Sequence, residues 1–230
     1  MADLAVICGA TGGLGTAIVD VFAKRGDQVV AVARSRGDVS RLQDKYPGMV
    51  RGDTADLTSR LEVDELWGRI DAVGTPRWLV NATGGFKSGK VVETNPDDYT
   101  FMINLNLGSA WWSCRAGARR MLAAGSPGAI VNISSRSGVS AAGGAAAYAI
   151  AKAGVIKLTE VLASELKGNG IRVNAVIPNI IDTPANRKSM PEKLMEKAVA
   201  PADIAQVIGF LCSDAANAIT GVAVPVYGKG

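Results

Sequence analysis

Leu4-Ala5-Val6-Ile7-Cys8-Gly9-Ala10-Thr11-Gly12-Gly13-Leu14-Gly15 is the stretch on which the fold of this chain turns. Leu4 to Cys8 is an apolar run that reads as a buried strand. A glycine-rich turn follows, and from Leu14 to Arg25 the apolar spacing is helical. Gly9, Gly12, Gly13 and Gly15 let the backbone turn sharply and let a phosphate approach the helix N-terminus. Free amides and the positive end of the helix dipole then face the anion. Such turns also join strands to helices where nothing binds, so this one points to a nucleotide only within the right fold.

Outward from the turn, strand-like and helical patterns alternate. Further strands are expected at Gln28–Ala33, Gly48–Gly52, Trp78–Asn81, Ala129–Ile133, Ile171–Ile177 and Val222–Val226. Helical stretches lie between them, including Ala146–Lys167 and Ala202–Cys212. This order predicts an α/β fold: a doubly wound parallel sheet of about seven strands with helices on both faces. No linker, repeat or low-complexity block interrupts it, so residues 1–230 read as one dinucleotide-binding and catalytic domain. Ligands of such sheets sit beyond the carboxyl ends of the strands, where functional residues are expected.

Composition narrows the chemistry. The chain has no histidine, which removes Ser-His-Asp hydrolases, Cys-His proteases and imidazole-bound zinc; no metal site is expected. Cys8, Cys114 and Cys212 are odd in number and far apart, as in a reducing compartment, and they read as buried apolar residues. Met1-Ala2-Asp3 leads straight into the first strand without a secretory leader, and no apolar run spans a bilayer, so a cytoplasmic protein without membrane contact is expected. The net charge of +4 is too small and scattered for nucleic acid.

The second strand ends at Ala33, where an acidic residue would hold the ribose hydroxyls of NAD(H). Arg34 and Ser35 follow instead and suit a 2′-phosphate, which points to NADP(H) rather than NAD(H). Arg34 and Arg36 also fit a solvated loop. After the third strand, Asp56-Leu57 is placed to meet an adenine amino group; Asp53 competes for that role, and either Asp suits a helix cap.

Tyr148 and Lys152 are spaced i, i+4 on a predicted helix and share a face. An ammonium beside a phenol favours the phenolate and lowers the Tyr pKa, giving a histidine-free chain an acid–base pair. The YxxxK pattern alone is common. Here Ser135 ends an apolar strand thirteen residues earlier, Asn81 ends the fourth strand, and Asn106 lies in a long helical stretch.

With these residues the chain resembles the main branch of the short-chain dehydrogenases and reductases, from Gly9 to Gly221. The glycines fit both TGxxxGxG (Gly9, Gly13, Gly15, with Cys8 for the threonine) and the GxxGxxG of the extended branch (Gly9, Gly12, Gly15). The Ser135-to-Tyr148 spacing selects the main branch. The resemblance implies a Rossmann-type fold and an Asn106-Ser135-Tyr148-Lys152 tetrad. It further implies nucleotide contacts at Thr11, Leu14, Asn81, Ala82, Gly84, Pro178, Ile181 and Thr183, with Lys152 on the nicotinamide ribose and Asn106 holding a relay water. Hydride would pass between NADPH and a carbonyl or alcohol, with Tyr148 as general acid and base. A homotetramer or dimer is implied, joined through the helices that carry Asn106 and Tyr148.

The chain also departs from the family. Asn81-Ala82-Thr83-Gly84 stands for NNAG, Pro178-Asn179 for Pro-Gly, and Tyr227-Gly228-Lys229 for a C-terminal Asp-Gly-Gly. The glycine-rich turn lacks the extra basic residue of many NADP-using relatives. The segment from Asp182 to Pro191, and more weakly Gly84-Gly85-Phe86, is similar to quinonoid dihydropteridine reductases, although those lack the serine and prefer NADH. This keeps a pteridine- or imine-type reductase as an alternative, and a nucleotide-binding sensor without turnover as one of another class. Arg187 is the candidate for a polar or anionic substrate group, with a surface ion pair as its competing reading. A lid helix is expected from Glu192 to Ala200. Of Trp111-Trp112, at most one should face the core.

Overall fold

The computed structural model describes residues 2–140 and 143–228. In chain order the elements are β1 (Leu4–Cys8), α1 (Gly13–Arg25), β2 (Gln28–Ala33), α2 (Arg36–Lys45), β3 (Val50–Thr54) and α3 (Arg60–Asp71). There follow β4 (Trp78–Asn81), α4 (Pro96–Ile103), α5 (Ser109–Ala123), β5 (Gly128–Ile133), α6 (Ala146–Leu166) and β6 (Ile171–Pro178). Last come α7 (Pro184–Ser189), α8 (Glu192–Met195), α9 (Pro201–Leu211) and β7 (Ala223–Val226). A π-helical turn, Asn104–Gly108, joins α4 to α5.

All seven strands pair in parallel in the order β3-β2-β1-β4-β5-β6-β7. Strand order therefore reverses between β1 and β4, and a crevice opens beyond their carboxyl ends at Cys8 and Asn81. Alternation along each strand divides two cores. Ala5, Ile7, Val29 and Ala31 face α1 and α9, where Ile18, Phe22, Ile204 and Ile208 close the layer. Val6, Cys8, Val30 and Val32 face α3, α5 and α6 through Leu66, Trp67, Cys114, Met121 and Val155. Strands covered on both faces can be apolar throughout, which is why β1, β2 and β5 were plain in the sequence.

Local signals fix the helix ends. Gly26 at φ 96° closes α1, its N–H reaching the Phe22 and Ala23 carbonyls. Ser59 caps α3 by accepting from the Glu62 N–H, and Asn95 caps α4 ahead of Pro96.

Three expectations need correction. The third strand is Val50–Thr54, two residues later than expected, because Gly48 at φ 76° belongs to the turn and pairing with β2 starts at Val50. The lid is not one helix: α8 ends at Met195, and Val199 instead bridges Ile181 in extended form. The segment read as a loop carries α7, with Thr183 capping and Pro184 in its first turn. Asn106 lies within the expected helical stretch, in the π turn between α4 and α5. As expected for adjacent helical positions, Trp111 is exposed and Trp112 packs on the core.

Candidate active site

The cleft follows the carboxyl ends of the strands. Its nucleotide end is lined by Gly9, Thr11, Gly12, Ala33, Arg34 and Asp56, continuing through Leu57 and Thr58 to Ala82 and Gly84. Ala82 and Gly84 also border a second cavity of ≈ 690 Å³ around Tyr148, so the two adjoin.

Main chain shapes the first end. Gly9 has φ 78°, and a Cβ there would lie 2.7 Å from the Thr83 nitrogen. A Cβ on Gly15 would lie 2.1 Å from the Gly9 carbonyl oxygen. The turn therefore folds back on itself and against the β4 end. Gly12 begins α1 without a side-chain cap, leaving first-turn amides for a ligand. A Cβ on Gly12 would touch nothing nearer than 3.5 Å, so that position opens into the cleft. Gly13 packs against Thr183, which brings the turn to the loop after β6. An uncapped helix start that opens into the cleft fits the pyrophosphate of a dinucleotide.

Arg34 is exposed at the far rim, and among the described residues no salt bridge engages it. Ser35 begins α2 and does not line the cleft, so only Arg34 of that pair is brought to the site. Asp56 lines the cleft while one carboxylate oxygen accepts from the Thr58 N–H and hydroxyl. Asp53, its competitor, does not line this cavity: it lies within β3 and is held by Arg69 at 2.9 Å. Asn81 lines neither cavity. Its amide donates to Asn132 at 2.8 Å and contacts Cys114, beneath the cleft floor.

At the other end, Ser135, Tyr148, Lys152 and Asn106 line one cavity with Leu14 and Ile181. Pro178 lines it too. Ser135 stands in extended conformation at the carboxyl end of β5, and its Oγ accepts from the Ser137 N–H. Lys152 is buried, and its Nζ donates to the Ile133 carbonyl at 2.8 Å. Desolvation brings its pKa down to about 8. Ser134 fixes α6 from below by donating to the Lys152 carbonyl at 2.8 Å.

Burial pushes the Tyr148 phenol above its ordinary pKa, and a bond with the Ser135 hydroxyl pulls the other way. This corrects the expected lowering by Lys152. The ammonium lies 5.8 Å from the Tyr148 ring centroid and is directed at a backbone carbonyl. Phe86 packs edge-on against Tyr148, with ring centroids 5.2 Å apart.

Asn106 is buried, and the π turn aims it inward. Its amide donates to the Gly85 and Met102 carbonyls while its Oδ1 accepts from the Gly85 N–H. The side chain thus clamps the loop after β4. Gly84 leaves room for it: a Cβ there would lie 2.9 Å from the Asn106 Oδ1 and 3.2 Å from the Lys152 Nζ.

Residues 9–228 match a family model described as enoyl-(acyl carrier protein) reductase. The chain is 34% identical to the 3-oxoacyl-(acyl-carrier-protein) reductase FabG of Thermotoga maritima, over 97% of this chain and 95% of that protein. It is 34% identical to galactitol 2-dehydrogenase of Rhizobium johnstonii, over 97% and 93%. The structure of actinorhodin polyketide ketoreductase with NADPH superposes with a TM-score of 0.91 at 26% identity, covering 99% of this chain and 96% of that one.

The chain belongs to the short-chain dehydrogenase/reductase family.

These likenesses do not confirm the resemblance of residues 182–191 to dihydropteridine reductases. In this short-chain dehydrogenase/reductase, Arg187 turns away from the substrate end. It lies on the exposed face of α7, donating to Asp182 at 2.6 Å, and does not line the cavity. Ala185, Asn186, Ser189 and Met190 line it instead.

Sequence reasoning missed two features. One is a buried polar chain under the floor: Asn132 accepts from Asn81 and donates to Thr159 at 3.0 Å, and Thr159 donates to the Val155 carbonyl. The other is Arg136, which lines the cavity beside Ser135. A lone arginine directly after a strand-end serine was the only available signal.

Proposed function

We propose that this enzyme is an NADP(H)-dependent carbonyl reductase or alcohol dehydrogenase. The observation that carries the reading is the convergence of Asn106, Ser135, Tyr148 and Lys152 on one cavity that adjoins the glycine-rich turn, with Leu14 in its wall. The nicotinamide, when bound, supplies or accepts the hydride at the substrate carbon. Ser135 hydrogen-bonds the carbonyl oxygen and polarises it. Tyr148, half-buried and held protonated, donates its proton to the same oxygen as the carbon is reduced. Lys152 sits close enough to stabilise the resulting phenolate and, at a pKa of about 8, exchanges protons near neutral pH. Asn106 clamps the Gly85 loop and holds a water through which Lys152 recovers its proton.

Glycines 9, 12, 13 and 15 cradle the pyrophosphate, with Thr11 and Leu14 beside it. Ala82 and Gly84 form the β4 side, with Asn81 holding the strand end from beneath, and Pro178, Ile181 and Thr183 the nicotinamide side. Asp56 and Leu57 flank the adenine. Arg34, free on the rim, reads the 2′-phosphate that distinguishes NADP(H) from NAD(H). Exposed Trp111 on α5, with Ile150 and Val161 on α6, supports assembly of a homo-oligomer through those helices. Three buried, unpaired thiols support a cytoplasmic, reducing location.

The deciding test is Tyr148→Phe. It is expected to abolish reduction of a ketone panel while NADPH fluorescence still reports binding; full activity in the variant refutes the reading. Arg34→Ala is expected to raise the NADPH KM far more than the NADH KM, and equal effects refute its role. Binding of NADPH without oxidation by any carbonyl or quinonoid pterin would make the chain a nucleotide sensor.

A further inference from the structure

Two charged side chains line the substrate end of the cleft among the described residues, and both are cationic: Lys152 and Arg136. Among the described residues no carboxylate lines it. Lys152 is committed to the Ile133 carbonyl. Arg187, the cation that the sequence suggested for this site, is committed to Asp182 outside the cavity. Arg136 differs from both: among the described residues it has no carboxylate partner, and it follows Ser135 directly in the chain.

What holds Arg136 is an aromatic ring. Its guanidinium carbon lies 5.2 Å from the centroid of Tyr227, just past the end of β7. Tyr227 begins the element that replaces Asp-Gly-Gly. An aspartate there would bring a negative charge to this side of the cleft; a tyrosine ring supports the guanidinium face, and among the described residues no acceptor engages the edge N–H donors. A planar cation steadied on one face and free along its edge suits bidentate capture of a carboxylate.

We infer that Arg136, positioned by Tyr227, reads a carboxylate on the substrate, and that the substrates are oxo acids or hydroxy acids whose charge lies a few bonds from the reacting carbon. This rests on the carbonyl-reductase reading for the reaction, but the anion site stands on Arg136 and Tyr227 themselves. Reduction of such an acid consumes one NADPH and one proton, forms a C–H and an O–H bond, and leaves the carboxylate unchanged.

The test has a kinetic arm and a binding arm. In the first, 3-oxobutanoate, 4-oxopentanoate and 5-oxohexanoate are compared with their methyl esters in the NADPH-dependent reaction. The best acid is expected to exceed its ester in kcat/KM by about tenfold or more, the range of one charge-assisted contact. Arg136→Gln should bring that ratio close to one, mainly through the KM of the acid, and Arg136→Lys should restore part of it. Tyr227→Phe, which keeps the ring, should hold the preference better than Tyr227→Ala. Preference of the wild type for the esters, or equal losses on acid and ester in Arg136→Gln, overturns the proposal.

The second arm titrates the same oxo acids calorimetrically into the NADP⁺-loaded protein. Binding to the wild type and loss of it in Arg136→Gln support the site even if no acid is reduced, in which case only the reductase reading fails. Equal binding by both proteins, or binding by neither, overturns it.

Discussion

At Gly9 to Gly15 the wall of the cleft is main chain, whereas at Ser134 to Lys152 it is side chain. The first wall has its shape because nothing else fits: Gly15 leaves no room for a Cβ against the Gly9 carbonyl. The second has its shape because separate elements are bonded together. Ser134 holds α6 by the Lys152 carbonyl, Lys152 holds the end of β5, and Asn106 holds the loop after β4. A wall made by exclusion should fail by misfolding when atoms are added. A wall made by bonding should keep its fold and lose proton balance, specificity or a fraction of its stability.

Gly15→Ala tests the first half most severely. Its Cβ would fall 2.1 Å from a backbone oxygen that cannot move without opening the turn. A loss of at least about 3 kcal/mol is expected in urea unfolding. Gly12→Ala is its control within the same turn. With no atom nearer than 3.5 Å, it should cost under about 1 kcal/mol while weakening NADPH binding about tenfold or more, because the methyl enters the ligand's path. Equal destabilisation by both would mean that the wall is not set by exclusion at Gly15.

Lys152 gives the next largest effect, and its sign depends on pH. The folded pKa of about 8 lies below the ordinary value of 10.5, so the unfolded chain binds more protons between the two. Stability contributed by this group therefore rises with pH across that window, by up to roughly 3 kcal/mol. Tyr148, shifted upward, acts in the opposite sense only at still higher pH. The stability of ligand-free wild type relative to Lys152→Met should climb from pH 8 to pH 10, with Tyr148 cancelling between the two. A flat difference would show that the ammonium is not desolvated.

Thr159→Val probes the floor beneath both walls. It removes the acceptor for the Asn132 amide while keeping the shape, leaving a buried donor unpaired. A loss of about 1–3 kcal/mol is expected, read as a lower urea midpoint at constant slope. An unchanged midpoint would mean that water or a rotated amide replaces the bond.

The same contrast explains what the sequence could disclose. Gly9 to Gly15 and the strands β1, β2 and β5 were legible because their causes are local: a turn, an apolar run, a cap. Only β3 was misplaced among the inner boundaries, since Gly52-Asp53-Thr54 carries no apolar signal on the sheet edge. Tyr148 and Lys152 were found by their spacing, yet the direction of the Tyr148 shift was not. It depends on burial, opposed by a bond with the Ser135 hydroxyl, and spacing encodes neither. The link between Asn132 and Thr159 spans 27 positions, and that between Arg136 and Tyr227 joins the end of β5 to the β7 edge of the sheet. Contacts of that range exist only after the strand order is set.

Arg187 supplies the smallest effect and the sharpest contrast with Arg136. Both are exposed arginines near the same substrate end; one is paired with Asp182 away from the cavity, and the other lines the cavity with no carboxylate partner among the described residues. The pair with Asp182 is solvent-exposed, where geometry of this kind contributes little to stability and salt screens it. Arg187→Gln should therefore leave the melting temperature unchanged within error. It should also leave the acid-to-ester ratio of kcat/KM where the wild type has it, under the conditions in which Arg136→Gln brings that ratio close to one. If Arg187→Gln alone lowered the ratio, the substrate charge would be read from α7, and the cation beside Ser135 would be a bystander.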